Sequence, residues 1–381
     1  MQYSIEDLVR LARRDNNSIR PYLYVNPLQG KHIPTKPEDT LDMCRQLAEI
    51  VNAAYPKDDL YVIGFAETAT GIASAVCCFL ENVIYYQNTT RENKIGEDYL
   101  YFTESHSHAV DQMLRSSEIE RGIFNVDRIV FIDDEITTGN TICKLIDKIT
   151  GNYKVKNIKY SIVSILNSMT KERIRELGER GIDCLFLAEI PFEYKKESII
   201  DIKFEPENNT TVCCTSDQKY DLVTYNAANN PRSIVIFNKY YAGILQFVTI
   251  IKENLHGRCF DSVLVLGTEE FMFPAIYLGR FLESEGIAIE ARVHATTRSP
   301  IIASGTEDYP LNHRYQIRSV YDPERCTYVY NLRQYDKVIV VTDSDKTVPG
   351  LEDLLCALKS VGNSDILVAQ WKYEQESGSE I

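Results

Sequence analysis

Two adjacent acids and a hydroxyl-rich loop stand out in the stretch 128–144, RIVFIDDEITTGNTICK. Asp133 and Asp134 follow a short apolar run that is typical of a buried parallel strand. The next loop contains Thr137, Thr138, Gly139, Asn140 and Thr141, and the apolar spacing after it predicts a helix. Backbone N–H groups at a helix start form a phosphate site, while carboxylates can accept sugar hydroxyls or orient a hydrated divalent cation. The stretch therefore predicts a sugar-phosphate site; the alternative is two solvated acids before a well-capped helix.

The elements that must position these residues predict an α/β fold with an open, mainly parallel sheet. Further buried-type strands are predicted at 61–63, 159–166 and 183–188, and helices at 5–14, 40–53, 72–80 and 170–180. In such sheets, ligands bind at the carboxyl ends of the strands. The loop after Gly64 should therefore share a cleft with Asp133. Its candidate ligand-binding residues are Ala66, Glu67, Thr68 and Gly71.

Composition limits the partners and the compartment. The chain carries 41 Lys and Arg against 55 Asp and Glu, a formal charge of −14, which argues against a nucleic-acid binder. A polyphosphorylated ligand would need a cation such as Mg²⁺ to overcome this negative field. No apolar run is long enough for a membrane span and the first residues lack a signal-peptide core, so we expect a cytoplasmic protein. Ten cysteines without any C-x-x-C predict reduced thiols rather than a zinc site or disulfides.

The second half repeats features of the first. A polar stretch at about 206–232 marks a junction, so we predict one domain over 1–205 and another over 206–381. A Glu stands three residues after a strand-ending Gly in both halves, at Glu67 and at Glu270. The second half is therefore predicted to be an α/β domain and a degenerate copy of the first, without the Thr-rich loop. Chance similarity between two common strand-loop-helix units is the alternative.

The order of residues also resembles a known family. An apolar strand, two adjacent acids and a Thr-Thr-Gly-x-Thr loop resemble the signature of the type I phosphoribosyltransferases. The sequence Thr-Arg-Ser-Pro at 297–300 is similar to the TRSP domain, which follows a phosphoribosyltransferase domain in proteins of bacterial tellurite-resistance and stress gene neighbourhoods. The segments GKH at 30–32, GFAETATG at 64–71 and SHSHA at 105–109 also resemble that family's first domain.

The resemblance implies Mg²⁺-dependent transfer of the phosphoribosyl group of phosphoribosyl pyrophosphate (PRPP) to a nitrogenous base. It implies that the 5′-phosphate is bound by the loop from Thr137 to Thr141 and the ribose hydroxyls by Asp133 and Asp134, which also hold the metal through ribose or water. The pyrophosphate and ribose are then assigned to Ala66, Glu67, Thr68, Gly71 and Lys31, with His106 as a further catalytic candidate and Arg298 as the candidate from the second domain.

Several questions stay open at this level. An acid at Glu67 is unusual in a loop that binds an anion, which suggests a metal or ribose contact instead. The second domain could bind the acceptor, cover the cleft or mediate a homodimer. Two other functions use the same groups: a non-catalytic PRPP-binding regulator, and hydrolysis or phosphorolysis of an N-glycosidic bond.

Overall fold

A computed structural model describes residues 3–15, 20–102, 112–155, 157–190, 199, 201–214, 218–344 and 349–374. In chain order the first half contains α1 (Ile5–Leu8), β1 (Arg10–Arg13), β2 (Tyr22–Val25), α2 (Pro37–Ala54), β3 (Leu60–Gly64), α3 (Ala69–Cys77), β4 (Val83–Asn88), β5 (Tyr99–Tyr101), β6 (Met113–Arg115), α4 (Ile119–Ile123), β7 (Arg128–Ile136), α5 (Asn140–Tyr153), β8 (Lys159–Asn167), α6 (Lys171–Glu179) and β9 (Ile182–Glu189). The second half contains β10 (Asn209–Thr211), β11 (Asp221–Ala227), β12 (Val235–Ile236), α7 (Phe237–Asn254), β13 (Phe260–Gly267), α8 (Phe273–Ser284), β14 (Ala288–Ala295), β15 (Arg314–Arg318), β16 (Cys326–Tyr330), β17 (Lys337–Thr342), α9 (Pro349–Ser360) and β18 (Ile366–Tyr373). None of the described helices is long and apolar enough to cross a membrane.

Two mainly parallel sheets form the frame of the molecule, which confirms the predicted α/β architecture. The first sheet has the strand order β12-β4-β3-β7-β8-β9 and the second β11-β18-β17-β13-β14. In the first sheet β3 pairs in parallel with β7, and in the second β13 pairs in parallel with β17. The loops after β3 and β7 therefore open at one edge of the sheet, where a ligand cleft is expected.

The apolar runs predicted as strands are buried on both faces. All five residues of β3 are buried, and so are Ile129 to Ile132 in β7. One hydrophobic core runs through both halves, since it includes Val62 and Val130 of the first sheet together with Val265 and Ile339 of the second. Full burial of such a side chain contributes roughly 1.5–3 kcal/mol. The two halves therefore stabilise each other.

The second half repeats the order of elements in the first. The series α2-β3-α3-β4 is matched by α7-β13-α8-β14, and β7-α5-β8 is matched by β17-α9-β18. Between these two series, each half has a small antiparallel pair, β5 with β6 and β15 with β16. At the level of topology, the second half is thus a copy of the first, as the sequence predicts.

Each half also adds a segment to the edge of the other half's sheet. Val235 and Ile236 of β12 pair antiparallel with β4 of the first half. In the opposite direction, Thr35 exchanges two backbone hydrogen bonds with Val293 of β14, at 2.8 and 3.0 Å. Because the two segments precede the equivalent helices α7 and α2, the exchange is reciprocal. The boundary between 205 and 206 stays a prediction, although β12 belongs in space to the first sheet.

Two sequence-based predictions are wrong. The helix predicted over 5–14 ends at Leu8, because Arg10–Arg13 pairs as β1 with β2. The cysteines are not all reduced, because Cys214 and Cys356 form a disulfide. These two cysteines are 142 residues apart in sequence, and their Cα atoms come within 6.2 Å only in the folded chain. No spacing pattern in the sequence could therefore indicate the pair.

Gly71→Ala should lower the free energy of unfolding by about 1–3 kcal/mol. An added Cβ would lie 2.9 Å from the Cβ of Met272, directly before α8, so α3 and α8 would have to move apart. Denaturant unfolding followed by circular dichroism measures the change. Gly178→Ala in α6 is the matched control, because its added Cβ meets nothing within 4 Å and alanine favours a helix. Equal stability of the two variants would contradict the described packing of α3 on α8.

Candidate active site

Asp133 and Asp134 lie at the carboxyl end of β7, and both are half-buried. The backbone N–H of Asp134 donates to Oδ1 of Asp133 at 2.9 Å. Burial and the charge of Asp134 raise the pKa of Asp133 well above its ordinary value, and burial also raises the pKa of Asp134. Within the described ranges, neither carboxylate takes part in an ion pair. A side-chain hydrogen bond with Gln29 and the charge of Lys31 act to lower the pKa of Asp134, but burial outweighs them. Crowded acids with raised pKa values are typical of functional sites.

The hydroxyl-rich loop leads directly from these acids into α5. Gly139 has a φ of 69° and precedes the first helical residue, Asn140. This left-handed conformation suits glycine, and it turns the chain from the strand into the helix. Thr137, Thr138, Asn140 and Thr141 are exposed. The first N–H groups of a helix lack intrahelical partners, so this exposed turn can bind an anion.

Arg173 of α6 lies against the same loop. Its Nε donates to the carbonyl oxygen of Thr138 at 2.9 Å, and its Nη2 donates to Oδ1 of Asn140 at 3.0 Å. The side chain therefore adds a positive charge beside the helix start. The sequence offered no signal for this contact, because Arg173 is distant from the loop along the chain and lies on a charged helix.

A second loop reaches this site from β3. The N–H of Phe65 donates to the carbonyl oxygen of Ile132 in β7 at 2.9 Å, which fixes the two loops side by side. The N–H of Ala66 donates to Oγ1 of Thr89 at 2.8 Å, and the peptide bond between Ala66 and Glu67 is cis. The structure thus brings the two predicted loops to the same edge of the sheet.

Two other residues predicted for this loop lie at and inside the following helix. Thr68 directly precedes α3 and makes no side-chain capping bond. Gly71 lies within α3, against Met272 of the second half. Gly71 therefore allows close packing between the halves, and its contact with a ligand remains a prediction.

Lys31 and Glu67, both in the first half, form a buried ion pair where the two halves meet. Lys31 Nζ lies 2.5 Å from Oε1 of Glu67 and also donates to the carbonyl oxygens of Glu269 and Thr296 in the second half, at 2.6 and 3.1 Å. Burial opposes ionisation of Glu67, but the charges of Lys31 and Arg298 outweigh it and lower the pKa of this carboxyl. Lys31 is thus engaged with Glu67 and the second half, and its contact with pyrophosphate remains a prediction.

An interdomain charge cluster surrounds this pair. It consists of Glu67, Glu92, Glu269, Glu270, Arg298 and Arg325. Arg298 Nε lies 2.8 Å from Glu269 and 3.9 Å from Glu67, and Arg298 Nη2 contacts Glu92. Arg325 lies 2.7 Å from Glu92 and 2.9 Å from Glu269. Arg298, the candidate chosen from the second half, therefore reaches the loop of the first half.

The second half has a counterpart of the acid pair, but it is neutralised. Asp343 comes directly after β17, the strand that corresponds to β7 in the first half. The two acids of the first half lie near the end of β7. Its carboxylate contacts the guanidinium of Arg232 and accepts hydrogen bonds from the hydroxyls of Tyr321 and Tyr373 at 2.6 and 2.9 Å. This acid is therefore compensated from within the second half, unlike Asp133 and Asp134.

Sequence reasoning covered the charge cluster only in part. His106 and His108 lie outside the described residues, so their position stays a prediction. Glu92 and Arg325 were missed, because nothing in their local sequence indicates a shared partner. One signal was readable: Thr-Thr-Arg occurs at 89–91 and again at 296–298, and these triplets follow the equivalent strands β4 and β14.

Family comparison agrees with this arrangement. Residues 8–187 match the model of a phosphoribosyl transferase family, so the chain is an enzyme of the phosphoribosyltransferase class. Residues 242–358 match the TRSP domain that lies C-terminal to this phosphoribosyl transferase domain. The chain therefore belongs to the phosphoribosyl transferase family that carries a C-terminal TRSP domain, and both resemblances are confirmed.

Solved structures with a related shape cover about half of the chain. Adenine phosphoribosyltransferase from Giardia lamblia, in complex with 9-deazaadenine, is 12% identical with a TM-score of 0.35, over 50% of this chain and 99% of that one. The Trypanosoma brucei enzyme, in complex with AMP, pyrophosphate and ribose-5-phosphate, is 14% identical with a TM-score of 0.34, over 52% of this chain and 86% of that one. No curated protein matches the chain significantly.

Asp133→Asn should raise the free energy of unfolding at neutral pH, by on the order of 1 kcal/mol. The folded state raises the pKa of Asp133, so this carboxyl destabilises the fold increasingly as the pH rises above its ordinary pKa, and fully above the raised pKa. The gain should shrink as the pH falls towards the ordinary carboxyl value of about 4, because the unfolded chain then also binds the proton. Thermal unfolding at several pH values measures this. Asp147→Asn, whose ion pair with Arg180 is exposed, should have little effect at any pH.

Proposed function

We propose that the chain transfers the phosphoribosyl group of PRPP to a nitrogenous base and releases pyrophosphate, with Mg²⁺ as cofactor. The observation that carries this proposal is the pair of crowded acids, Asp133 and Asp134, which form no ion pair among the described residues and lie shortly before an exposed hydroxyl loop at the start of a helix. The carboxylates can accept hydrogen bonds from the ribose hydroxyls, and the N–H groups and hydroxyls of the loop can bind a phosphate. The resemblance to proteins of tellurite-resistance gene neighbourhoods extends the proposal to the biosynthesis of a nucleotide-like metabolite.

The 5′-phosphate is assigned to the loop from Thr137 to Thr141. The helix that follows is 14 residues long, so its N-terminal N–H groups carry a partial positive charge that favours a phosphate dianion. Gly139 supplies the left-handed turn that brings these N–H groups to the loop, and the hydroxyls of the three threonines can donate further hydrogen bonds. Arg173 adds a guanidinium beside the same loop, and its charge is partly offset by an ion pair with Glu176 at 2.9 Å.

Asp133 and Asp134 are assigned to the ribose hydroxyls and to Mg²⁺. Their carboxylates offer only oxygen atoms, which is the donor set that Mg²⁺ prefers. Burial raises the pKa of both carboxyls, and the charge of Asp134 adds to the rise at Asp133, so a bound cation would stabilise their ionised forms. Mg²⁺ is commonly held by one or two carboxylates plus substrate phosphates, so these acids fit the ion even though the described residues contain no group of three or more protein ligands for a metal. When bound, the ion supplies charge neutralisation for the leaving pyrophosphate.

Transfer of the phosphoribosyl group depends more on alignment of the reacting atoms than on a strong general base. The bond between ribose C1 and the pyrophosphate oxygen breaks with its electron pair on pyrophosphate, while an acceptor nitrogen forms the new bond to C1 and loses its proton. Positive charge that develops on the ribose is stabilised by the nearby carboxylates of Asp133 and Asp134. The loops after β3 and β7 hold the two ends of PRPP, which removes the entropic cost of orienting the reacting bond.

Pyrophosphate release in the presence of PRPP, Mg²⁺ and a panel of nitrogen heterocycles tests the proposal. We expect release with at least one acceptor and its loss when the metal is chelated. Asp133→Asn combined with Asp134→Asn should reduce turnover by about 100-fold or more, with no fall in thermal stability. Asp147→Asn on the exposed face of α5 is the control and should retain turnover.

Other outcomes would favour other functions. Release that does not depend on any acceptor would indicate hydrolysis of PRPP. Binding of PRPP in a calorimeter, without release for every acceptor tried, would indicate a regulator that binds the ligand without catalysis. Full turnover in the double variant would contradict the assignment of the two acids.

A further inference from the structure

We infer that Arg298, from the second half, is a positioning residue that keeps the carboxylate of Glu67 away from the pyrophosphate position in the first half's cleft. The inference rests on the proposed function, because it takes the loop after β3 as the pyrophosphate side of the site. It gives the second half a defined role in the chemistry of the first. It also replaces the sequence-based expectation that Glu67 contacts metal or ribose.

The charge of Glu67 is unfavourable for binding pyrophosphate beside it. Glu67 stands in the loop assigned to pyrophosphate, and a free carboxylate there would repel that anion. The carboxylate is not free: it lies 2.5 Å from Nζ of Lys31 and accepts hydrogen bonds from the backbone N–H of Arg298 at 3.2 and 3.3 Å. The acid is thereby neutralised and held towards the second half.

Arg298 is itself fixed by the second half. Its side chain is 9% exposed, and its Nε lies 2.8 Å from Glu269. The preceding residue, Thr297, exchanges backbone hydrogen bonds with Tyr328 of β16 at 2.7 and 2.8 Å, and the carbonyl of Ser299 accepts a hydrogen bond from the hydroxyl of Tyr330 at 2.7 Å. The Thr-Arg-Ser segment therefore has a defined position from which its N–H can hold the acid.

The repeat supplies a matched control in the opposite direction. Glu270 is the equivalent of Glu67, and it accepts a hydrogen bond from the backbone N–H of Arg91, the equivalent of Arg298, at 2.8 Å. Glu270 is 5% exposed and Glu67 is 9% exposed, so burial of the two acids is similar. Beside Glu270, Arg232 forms ion pairs with both Glu270 and Asp343, so we assign this second contact to stability of the fold.

PRPP affinity in a series of variants tests the inference. Glu67→Gln removes the negative charge and should bind PRPP at least as tightly as the wild type. Glu67→Asp keeps the charge but is too short to reach Arg298, so it should raise Kd and KM for PRPP about tenfold. Arg298→Gln keeps the backbone N–H but removes the guanidinium, whose Nε lies 3.9 Å from Glu67 and 2.8 Å from Glu269. It should therefore also raise Kd and KM for PRPP, and adding Glu67→Gln to it should restore the affinity. Glu270→Gln, the control, should lower thermal stability without changing Kd.

The outcomes separate the inference from the proposed function. Weaker PRPP binding by Glu67→Gln would overturn the inference, because the carboxylate would then be needed for the ligand or its metal. Failure of Glu67→Gln to rescue Arg298→Gln would also overturn it. If Arg298→Gln does not fold, the comparison of Glu67→Gln with Glu67→Asp still tests the inference. Calorimetry with Mg²⁺ and inorganic pyrophosphate tests the same contact without turnover, and a wild type that binds neither pyrophosphate nor PRPP would contradict both the inference and the proposed function.

Discussion

The balance of buried charge at the carboxyl ends of the strands in two sheets is the constraint on which this structure depends. Loops after parallel strands meet at that edge, and each half places acids there. A buried carboxylate is costly unless a cation and hydrogen bonds compensate it. Glu67, Glu270 and Asp343 all have cationic partners. Asp133 and Asp134 form no ion pair among the described residues, and the charge of Lys31 offsets the burial of Asp134 only in part.

The matching topology of the two halves explains how the compensation is arranged. Because each half adds a segment to the other half's sheet, the loops after β4 and β14 lie against the acids of the opposite half. The backbone N–H of Arg91 reaches Glu270, and that of Arg298 reaches Glu67. A continuous hydrophobic core accompanies these contacts. Separation of the halves would expose apolar surface and leave buried acids without partners, so the two halves form one structural unit.

The two halves differ in how the acids at the strand ends are compensated. In the second half, Arg232 and two tyrosine hydroxyls satisfy Asp343, which makes that edge a stable part of the interior. In the first half, two acids with raised pKa values remain beside an exposed anion-binding turn. Buried negative charge of this kind lowers the stability of the fold and is typical of functional sites.

The sequence by itself determined the local chemistry of the site. The strand-acid-acid-loop-helix order around Asp133, the topology of both halves and the family are all readable from residue order, because strand burial, helix starts and phosphate-binding turns depend on neighbours within one short segment. Tertiary structure decided the rest. The pairing of Glu67 with Lys31 and Arg298, the contact of Arg173 with the loop and the disulfide join residues that are distant along the chain. Charge compensation acts through space, so only the folded chain shows which acids are neutralised and which are left for a ligand.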